Sequence, residues 1–298
     1  MKRYKDLVGD GGSNIVGQVA EQQRRLGERL ARVHHVVAVL SGKGGVGKSS
    51  VTANLAALFA GDRFTVGVLD ADLNGPSIAK MLGVRGRSLS MTADGVVPPE
   101  TAQGIRVMSM DLFLPADETP LTWKAEIQAE SHVWRGTMEA NALREFLADT
   151  AWGPLDLLLV DLPPGADRLT TVAGLVPAMS GAIVVTIPSE VSHLVVKKSI
   201  SVARELKVPI LGLAENMAGY VCGTCGAVGP LFHGPQAESV AAEFGIPFLG
   251  RIPFDPHMAL ASDRGIPFVG EHPESPAARA FLQIASRIKA SLGLAGGA

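Results

Sequence analysis

The run Gly42-Lys43-Gly44-Gly45-Val46-Gly47-Lys48-Ser49, placed directly after the apolar stretch His35-Val36-Val37-Ala38-Val39-Leu40, constrains this chain more than any other feature. Its spacing is G-x-x-x-x-G-K-S. Glycine reaches backbone dihedrals closed to other residues, so successive N–H groups in such a loop can turn inward around an anion. A helix opening near Lys48 adds its positive end. In that arrangement Lys48 reaches the β- and γ-phosphates of a nucleotide and the Ser49 hydroxyl ligates Mg²⁺. Gly42, Gly44, Gly45, Val46, Gly47 and Ser50 complete the expected cradle. The competing reading, a glycine-rich turn with no ligand, fits poorly with a strand before the loop and a helix after it.

Apolar runs without alternation recur at residues 64–69, 105–110, 155–160, 182–187 and 210–214. Such runs suit strands covered on both faces. Helix-length segments at 50–59, 138–149 and 192–206 separate most of them. The alternation predicts an α/β fold of the P-loop NTPase kind, a single domain over 35–291 with a mostly parallel sheet and helices on both faces. Ligands in such folds sit at the carboxyl ends of the strands, where each motif here falls. Residues 1–34 read as a polar helical extension and 292–298 as a flexible Gly/Ala tail, while 84–135 is the least regular stretch.

A net charge of -2 gives no broad basic surface, so neither nucleic acid nor an acidic membrane is expected as partner. The longest apolar stretch, 172–187, is interrupted by Pro177 and Ser180 and falls short of the ~20 residues a span requires. The first residues lack the apolar core of a secretory signal, and the chain has two cysteines, a usage that suits a reducing cytoplasm.

Leu157-Leu158-Leu159-Val160-Asp161 is an apolar strand ending in a carboxylate, the arrangement that holds Mg²⁺ or its water. It runs into Leu162-Pro163-Pro164-Gly165, a rigid turn suited to presenting a backbone N–H to a γ-phosphate. Asp70-Ala71-Asp72 ends another apolar run. Asp72 is the candidate for orienting or activating the attacking water, and Asp70 for the Mg²⁺ shell. Each acid could instead be a helix cap or a solvated turn.

Cys222 and Cys225 form C-x-x-C in a glycine-rich loop. The pattern serves redox, zinc and iron–sulfur chemistry, and sequence does not separate a Zn–S₄ site from a cluster. Both metal options usually take four thiolates, and a two-fold dimer with two from each subunit would provide them. His233 lies close by as a further ligand or a plain loop histidine.

The second lysine of the loop, Lys43, brings in a family. Lys-Gly-Gly-Val-Gly-Lys-Ser resembles the deviant Walker A of the MinD, ParA, nitrogenase iron protein and Mrp/Nbp-type ATPases. Asp70-Ala71-Asp72-Leu73-Asn74-Gly75-Pro76-Ser77, Trp134-Arg135-Gly136-Thr137-Met138, Trp152-Gly153-Pro154-Leu155-Asp156, Asp161-Leu162-Pro163-Pro164-Gly165 and Glu215-Asn216-Met217 resemble motifs of the Mrp/Nbp branch.

The resemblance implies an ATPase that carries a [4Fe-4S] cluster, bridging a homodimer through Cys222 and Cys225, and passes it to apo iron–sulfur proteins. It implies that Lys43 acts across the dimer on the partner's phosphates. It places Asn216 on the adenine edge, with Pro253, Phe254 and Asp255 packing on the base. One departure stands out: the family continues Pro-Pro-Gly-Thr-Gly-Asp, and here Pro163-Pro164-Gly165 runs into Ala166-Asp167-Arg168. The expectation is slow or differently gated hydrolysis, with Asp167 standing in for the usual aspartate.

Two other classes remain. A positioning ATPase acting on membrane or DNA would want a basic amphipathic tail, and the tail helix near 277–292 carries only Arg279, Arg287 and Lys289. A nickel- or zinc-inserting ATPase is compatible with the cysteine pair but not with the remaining motifs.

Overall fold

The apolar runs become neighbouring strands of one sheet in the computed structural model, which describes residues 15–114, 131–232 and 234–294. The strands are β1 (Val33–Ser41), β2 (Val66–Asp70), the short hairpin β3 (Ser90–Thr92) and β4 (Gly95–Val97), β5 (Arg106–Met108), β6 (Leu155–Asp161), β7 (Gly181–Thr186), β8 (Ile210–Val221), β9 (Val228–Gly229) and β10 (Phe248–Phe254). The main sheet runs β10-β8-β7-β1-β6-β2-β5, with every pairing along that path parallel. Off that path β9 folds back antiparallel on β8, and β3 and β4 pair antiparallel as a separate hairpin.

Parallel strands need crossover connections, and helices supply them. They are α1 (Ile15–Leu30), α2 (Lys48–Gly61), α3 (Ile78–Met81), α4 (Ser131–Asp149), α5 (Arg168–Leu175), α6 (Glu190–Glu205), α7 (Ala237–Glu243), α8 (His257–Arg264), α9 (Phe268–Glu271) and α10 (Pro276–Leu292). The sheet separates two apolar layers. Val37 and Val39 of β1 face a cluster with Leu55, Phe59, Phe281 and Ile284. Ala38 and Leu40 face the other, with Leu147, Leu158, Val196 and Ile200. Successive strand residues thus enter opposite cores, which is why β1 is apolar throughout rather than alternating. Truncating Phe281 or Leu40 to Ala would cost ~2–5 kcal/mol.

Several boundaries differ from the sequence expectation. β8 runs on to Val221 instead of stopping at 214, because β10 and then β9 keep pairing with it. β5 is only Arg106–Met108, and α4 begins at Ser131 rather than 138. The stretch 84–135 contains β3, β4 and β5. Within the N-terminal segment, α1 docks on the end of α4: Arg25 pairs with Asp149 at 2.6 Å, and Arg29 Nε donates to the Ala148 carbonyl at 3.4 Å. Residues 1–14 and 295–298 lie outside the described residues, as does His233. Among the described residues no helix is long and apolar enough to cross a membrane.

Candidate functional site

The strand order puts the phosphate loop at the centre of the sheet, between β1 and α2, with β6 and β7 on either side of β1. Gly45 and Gly47 have φ of 79° and 80°, the left-handed region that favours glycine. Gly47 is also held close by its surroundings: a Cβ there would overlap Asn216 Nδ2. At Gly42 a Cβ would lie 2.7 Å from Val195 of α6. The loop is therefore wedged against β8 on one side and α6 on the other, while Lys43, Gly44 and Gly45 are exposed.

Three hydroxyl and ammonium donors converge on Asp161 at the end of β6. Its Oδ2 accepts from Lys48 Nζ at 2.5 Å and from Ser49 Oγ at 2.6 Å, and its Oδ1 accepts from Thr52 Oγ1 at 2.6 Å. Asp161 and Lys48 are both buried. A charge taken out of water is tolerable only when paired and hydrogen-bonded, and this one is. Sequence reasoning brought Lys48, Ser49 and Asp161 together but missed Thr52. Its only sequence signal was a polar residue one turn after Lys48, among Ser49, Ser50 and Asn54 of the same helix.

Asp70 is in register with Asp161 across the β2–β6 ladder. Its Oδ2 accepts from the Ser77 N–H at 2.9 Å, the Ile78 N–H at 3.1 Å and Ser109 Oγ at 3.1 Å, and its Oδ1 from the Asp72 N–H at 3.2 Å. Burial, and next the charge of Asp161, push the Asp70 carboxyl up to about 7 against the opposing pull of the Ile78 and Ser77 amides. Asp70 is thus occupied with organising the loop 71–77 and Ser109. Asp72 lies in that loop, half-buried, and its Oδ1 accepts from the Gly75 N–H at 3.2 Å.

The second loop follows Asp161. Leu162 donates its N–H to Val39 at 3.0 Å and Gly165 to Ser41 at 3.1 Å, which tie this loop to β1. Asp167 stands at the N-cap of α5, but its side chain makes no capping bond. The next residue, Arg168, reaches α4 instead: Nη1 donates to Glu139 Oε2 at 3.2 Å, while Asn74 Nδ2 donates to Glu139 Oε1 at 2.8 Å. One carboxylate on α4 thereby joins the loops that follow β2 and β6. A small cavity of about 60 Å³, lined by Leu73, Leu143, Leu162 and Val172 among others, lies at this junction. Neither Glu139 nor Arg168 carried a sequence signal for this. Of the Trp134-Arg135-Gly136-Thr137-Met138 motif, the side chains of 134–137 lie outside the described residues.

On the other flank, Asn216 sits inside β8, not at its end, and its Nδ2 donates to the Val46 carbonyl at 2.8 Å. β8 then continues to Val221. The Cys222 N–H bonds Ala227 O at 2.9 Å and the Gly226 N–H bonds Cys222 O at 2.8 Å, so the cysteines cap a β8–β9 hairpin. Cys222 is half-buried and Cys225 exposed. The backbone N–H groups of Thr224 and then Cys225 lower the Cys222 thiol below its usual range, which favours the thiolate a soft metal requires.

Pro253 is buried and Phe254 half-buried, its ring stacked on Tyr220 at 6.4 Å. The Asp255 carboxylate is buried and taken up by local donors. It accepts from the His257 N–H at 3.0 Å, His257 Nδ1 at 2.8 Å and Ser275 Oγ at 2.7 Å. Those contacts hold its pKa below the usual carboxylate range against the effect of burial. An open cleft of about 460 Å³ separates this segment from the hairpin, lined by Cys222, Gly223, Asp255, His257, His272 and Ser275 among others. Among the described residues no three His, Cys, Asp or Glu side chains are placed to hold a metal ion together. One chain offers two thiols, half of a four-thiolate set.

The family model described as NUBPL iron-transfer P-loop NTPase, of the ParA type, matches residues 32–289. An iron-sulfur cluster carrier protein of Saccharolobus solfataricus is 43% identical over 272 residues, covering 91% of this chain and 88% of that one. A cytosolic Fe-S cluster assembly factor NUBP1 homolog of Brugia malayi is 40% identical, covering 88% and 83%. Among solved structures, the nucleotide-binding protein of Archaeoglobus fulgidus in complex with ADP is 37% identical with a TM-score of 0.70, covering 82% of this chain and 92% of that one. The cell division protein MinD of Aquifex aeolicus, at 23% identity and a TM-score of 0.57 over 86% and 97%, shares the fold.

Proposed function

The chain belongs to the ParA-type family of NUBPL iron-transfer P-loop NTPases, and on that premise we propose that it is an ATP-dependent iron–sulfur cluster carrier working as a homodimer. The observation that carries the reading is β8 itself: one strand holds Asn216 against the phosphate loop and ends at Val221, directly before Cys222.

Residue roles follow from chemistry. The backbone of Gly42 to Ser50 and the Lys48 ammonium bind the phosphates. Ser49 and Asp161 hold Mg²⁺, with Asp70 behind them, and Asp72 orients the attacking water. Lys43, exposed at the loop's outer rim, reaches the partner subunit's nucleotide. Asn216 leaves Val46 for the adenine edge, where Pro253 and Phe254 supply apolar surface and Asp255 braces the segment through His257 and Ser275. Cys222 and Cys225 of two subunits share one [4Fe-4S] cluster, the cargo delivered to apo iron–sulfur proteins in the cytosol. Ala166-Asp167-Arg168 in place of the family's Thr-Gly-Asp run, with Asp167 standing in for the usual aspartate, makes for slow or differently gated hydrolysis. Neither membrane nor nucleic acid is required.

The test is anaerobic reconstitution with iron and sulfide, read by absorbance, metal content and native mass. A broad band near ~400 nm with about four irons per dimer, lost in Cys222→Ala, supports the reading. Stoichiometric zinc with no colour, or no metal at all, refutes it.

A further inference from the structure

The strand that joins the phosphate loop to the cysteines is broken at one residue. Up to Glu215, β8 is held on both sides, opposite Thr186 of β7 and Arg251 of β10. β7 ends there. Beyond it, β10 advances from Ile252 to Phe254 while β8 advances from Asn216 to Tyr220, so β8 bulges over 217–219.

Within the bulge Met217 has φ 53°. The other non-glycine residues at positive φ among those described, Arg63 and Lys207, follow the ends of α2 and α6. A left-handed residue is ordinary at a helix end. In the middle of a strand it is not, and a long side chain there persists only because its surroundings impose it. The surroundings are the phosphate loop: the Met217 methyl would lie 3.7 Å from a Cβ at Gly47, and the adjoining Asn216 amide bonds Val46. On its other side the bulge leads into Tyr220, Val221 and the hairpin turn that Cys222 opens.

We propose that Met217 is a positioning residue, the hinge that transmits occupancy of the phosphate loop to the cysteine hairpin. Left-handed and extended backbone are discrete basins, so a shift of Val46, Gly47 and Asn216 around a nucleotide is passed on as a change in hairpin orientation rather than absorbed gradually. The Met217 side chain beside Gly47 is the sensor, and the bulge is the joint. This rests on the reading that the loop binds a nucleotide, and it names how that binding reaches the thiols.

The test is hydrogen exchange by mass spectrometry on the full chain without iron or sulfide, with and without Mg²⁺ and ADP, beside a separate titration with fluorescent ADP. In the unaltered protein, amides of 218–229 should change their exchange rate about fivefold or more on nucleotide binding, the lower range of known site couplings. Met217→Gly and Met217→Asn both tolerate the left-handed backbone but lack the thioether on the loop. In both, the hairpin response should fall below about twofold while ADP affinity stays within about threefold, a split that general destabilisation would not produce. Met217→Leu restores an apolar side chain and should keep the response. A full response in the Gly and Asn variants, or a hairpin that ignores bound ADP in the unaltered protein, overturns the proposal. Failure of the titration itself overturns the nucleotide reading beneath it.

Discussion

Replacing Thr52 by Val tests the support of Asp161 with almost no change of shape. Thr52 Oγ1 is buried and donates at 2.6 Å to Asp161 Oδ1, which is also buried. A hydrogen bond to a charged acceptor contributes about 1.5–3 kcal/mol, and its loss leaves Oδ1 without that donor. The weaker contact from the same hydroxyl to the Lys48 carbonyl, at 3.1 Å, adds little because that oxygen already serves the helix. At about 2–4 °C per kcal/mol, the range for chains somewhat shorter than this one, the melting temperature should fall by about 3–12 °C. Loss of a supporting hydrogen bond to a metal ligand commonly weakens metal binding 10- to 100-fold, so Mg²⁺ dependence of ATP turnover should shift by about tenfold. Thr52→Ser keeps the hydroxyl and loses one methyl, about 0.8 kcal/mol, with normal Mg²⁺ dependence. Scanning calorimetry and Mg²⁺ titration of ATPase activity read both effects. If the Val variant melts within about 1 °C of the unaltered protein, or Ser is as damaging as Val, Thr52 does not hold Asp161.

Lys48→Met removes the ammonium from a pair in which the lysine side chain is 7% exposed. It should destabilise by about 3–5 kcal/mol in urea unfolding as well as abolish nucleotide binding, since a buried carboxylate loses its cation. Asp70 titrates near 7 when folded and near 3.8 when unfolded, so between those values the folded state binds the extra proton. Stability from this group is therefore full below about pH 4 and lost as pH rises towards 7, and Asp70→Asn should flatten that part of the metal-free stability–pH curve. Arg168 is 41% exposed, so a double-mutant cycle with Glu139 should return no more than about 0.5 kcal/mol of stability. Hydrolysis is the sharper readout there: Glu139→Ala frees both loops and should change kcat more than Glu139→Gln, which keeps an acceptor for Asn74.

What could be read from the sequence was local. The G-x-x-x-x-G-K-S spacing fixed a strand–loop–helix unit because its glycines are needed for backbone geometry. The unbroken apolar character of 35–40 and 155–160 announced a sheet buried on both faces. Asp161 was legible because it ends such a run. The limits of β8 were not, because after 214 the apolar run is broken by Glu215, Asn216 and Gly219, and the strand is continued by its pairing with β10 and β9. Asp255 read as a base-pocket residue through a short motif, and only the fold revealed Ser275 as the donor that turns it inward.

By itself the sequence determined the phosphate cradle, the parallel α/β architecture, the thiol pair and the family, since each rests on periodicity or on residues within a few positions of one another. Tertiary structure alone decided that Thr52 supports Asp161 across 109 positions, that Glu139 joins the two loops, and that Asn216 meets Val46 across 170. Those bonds join side chains brought together by the order in which strands lie in the sheet. A linear pattern carries no such order: β1 lies beside β6 and β7, far from it in sequence, because that is where both faces of each strand can be buried.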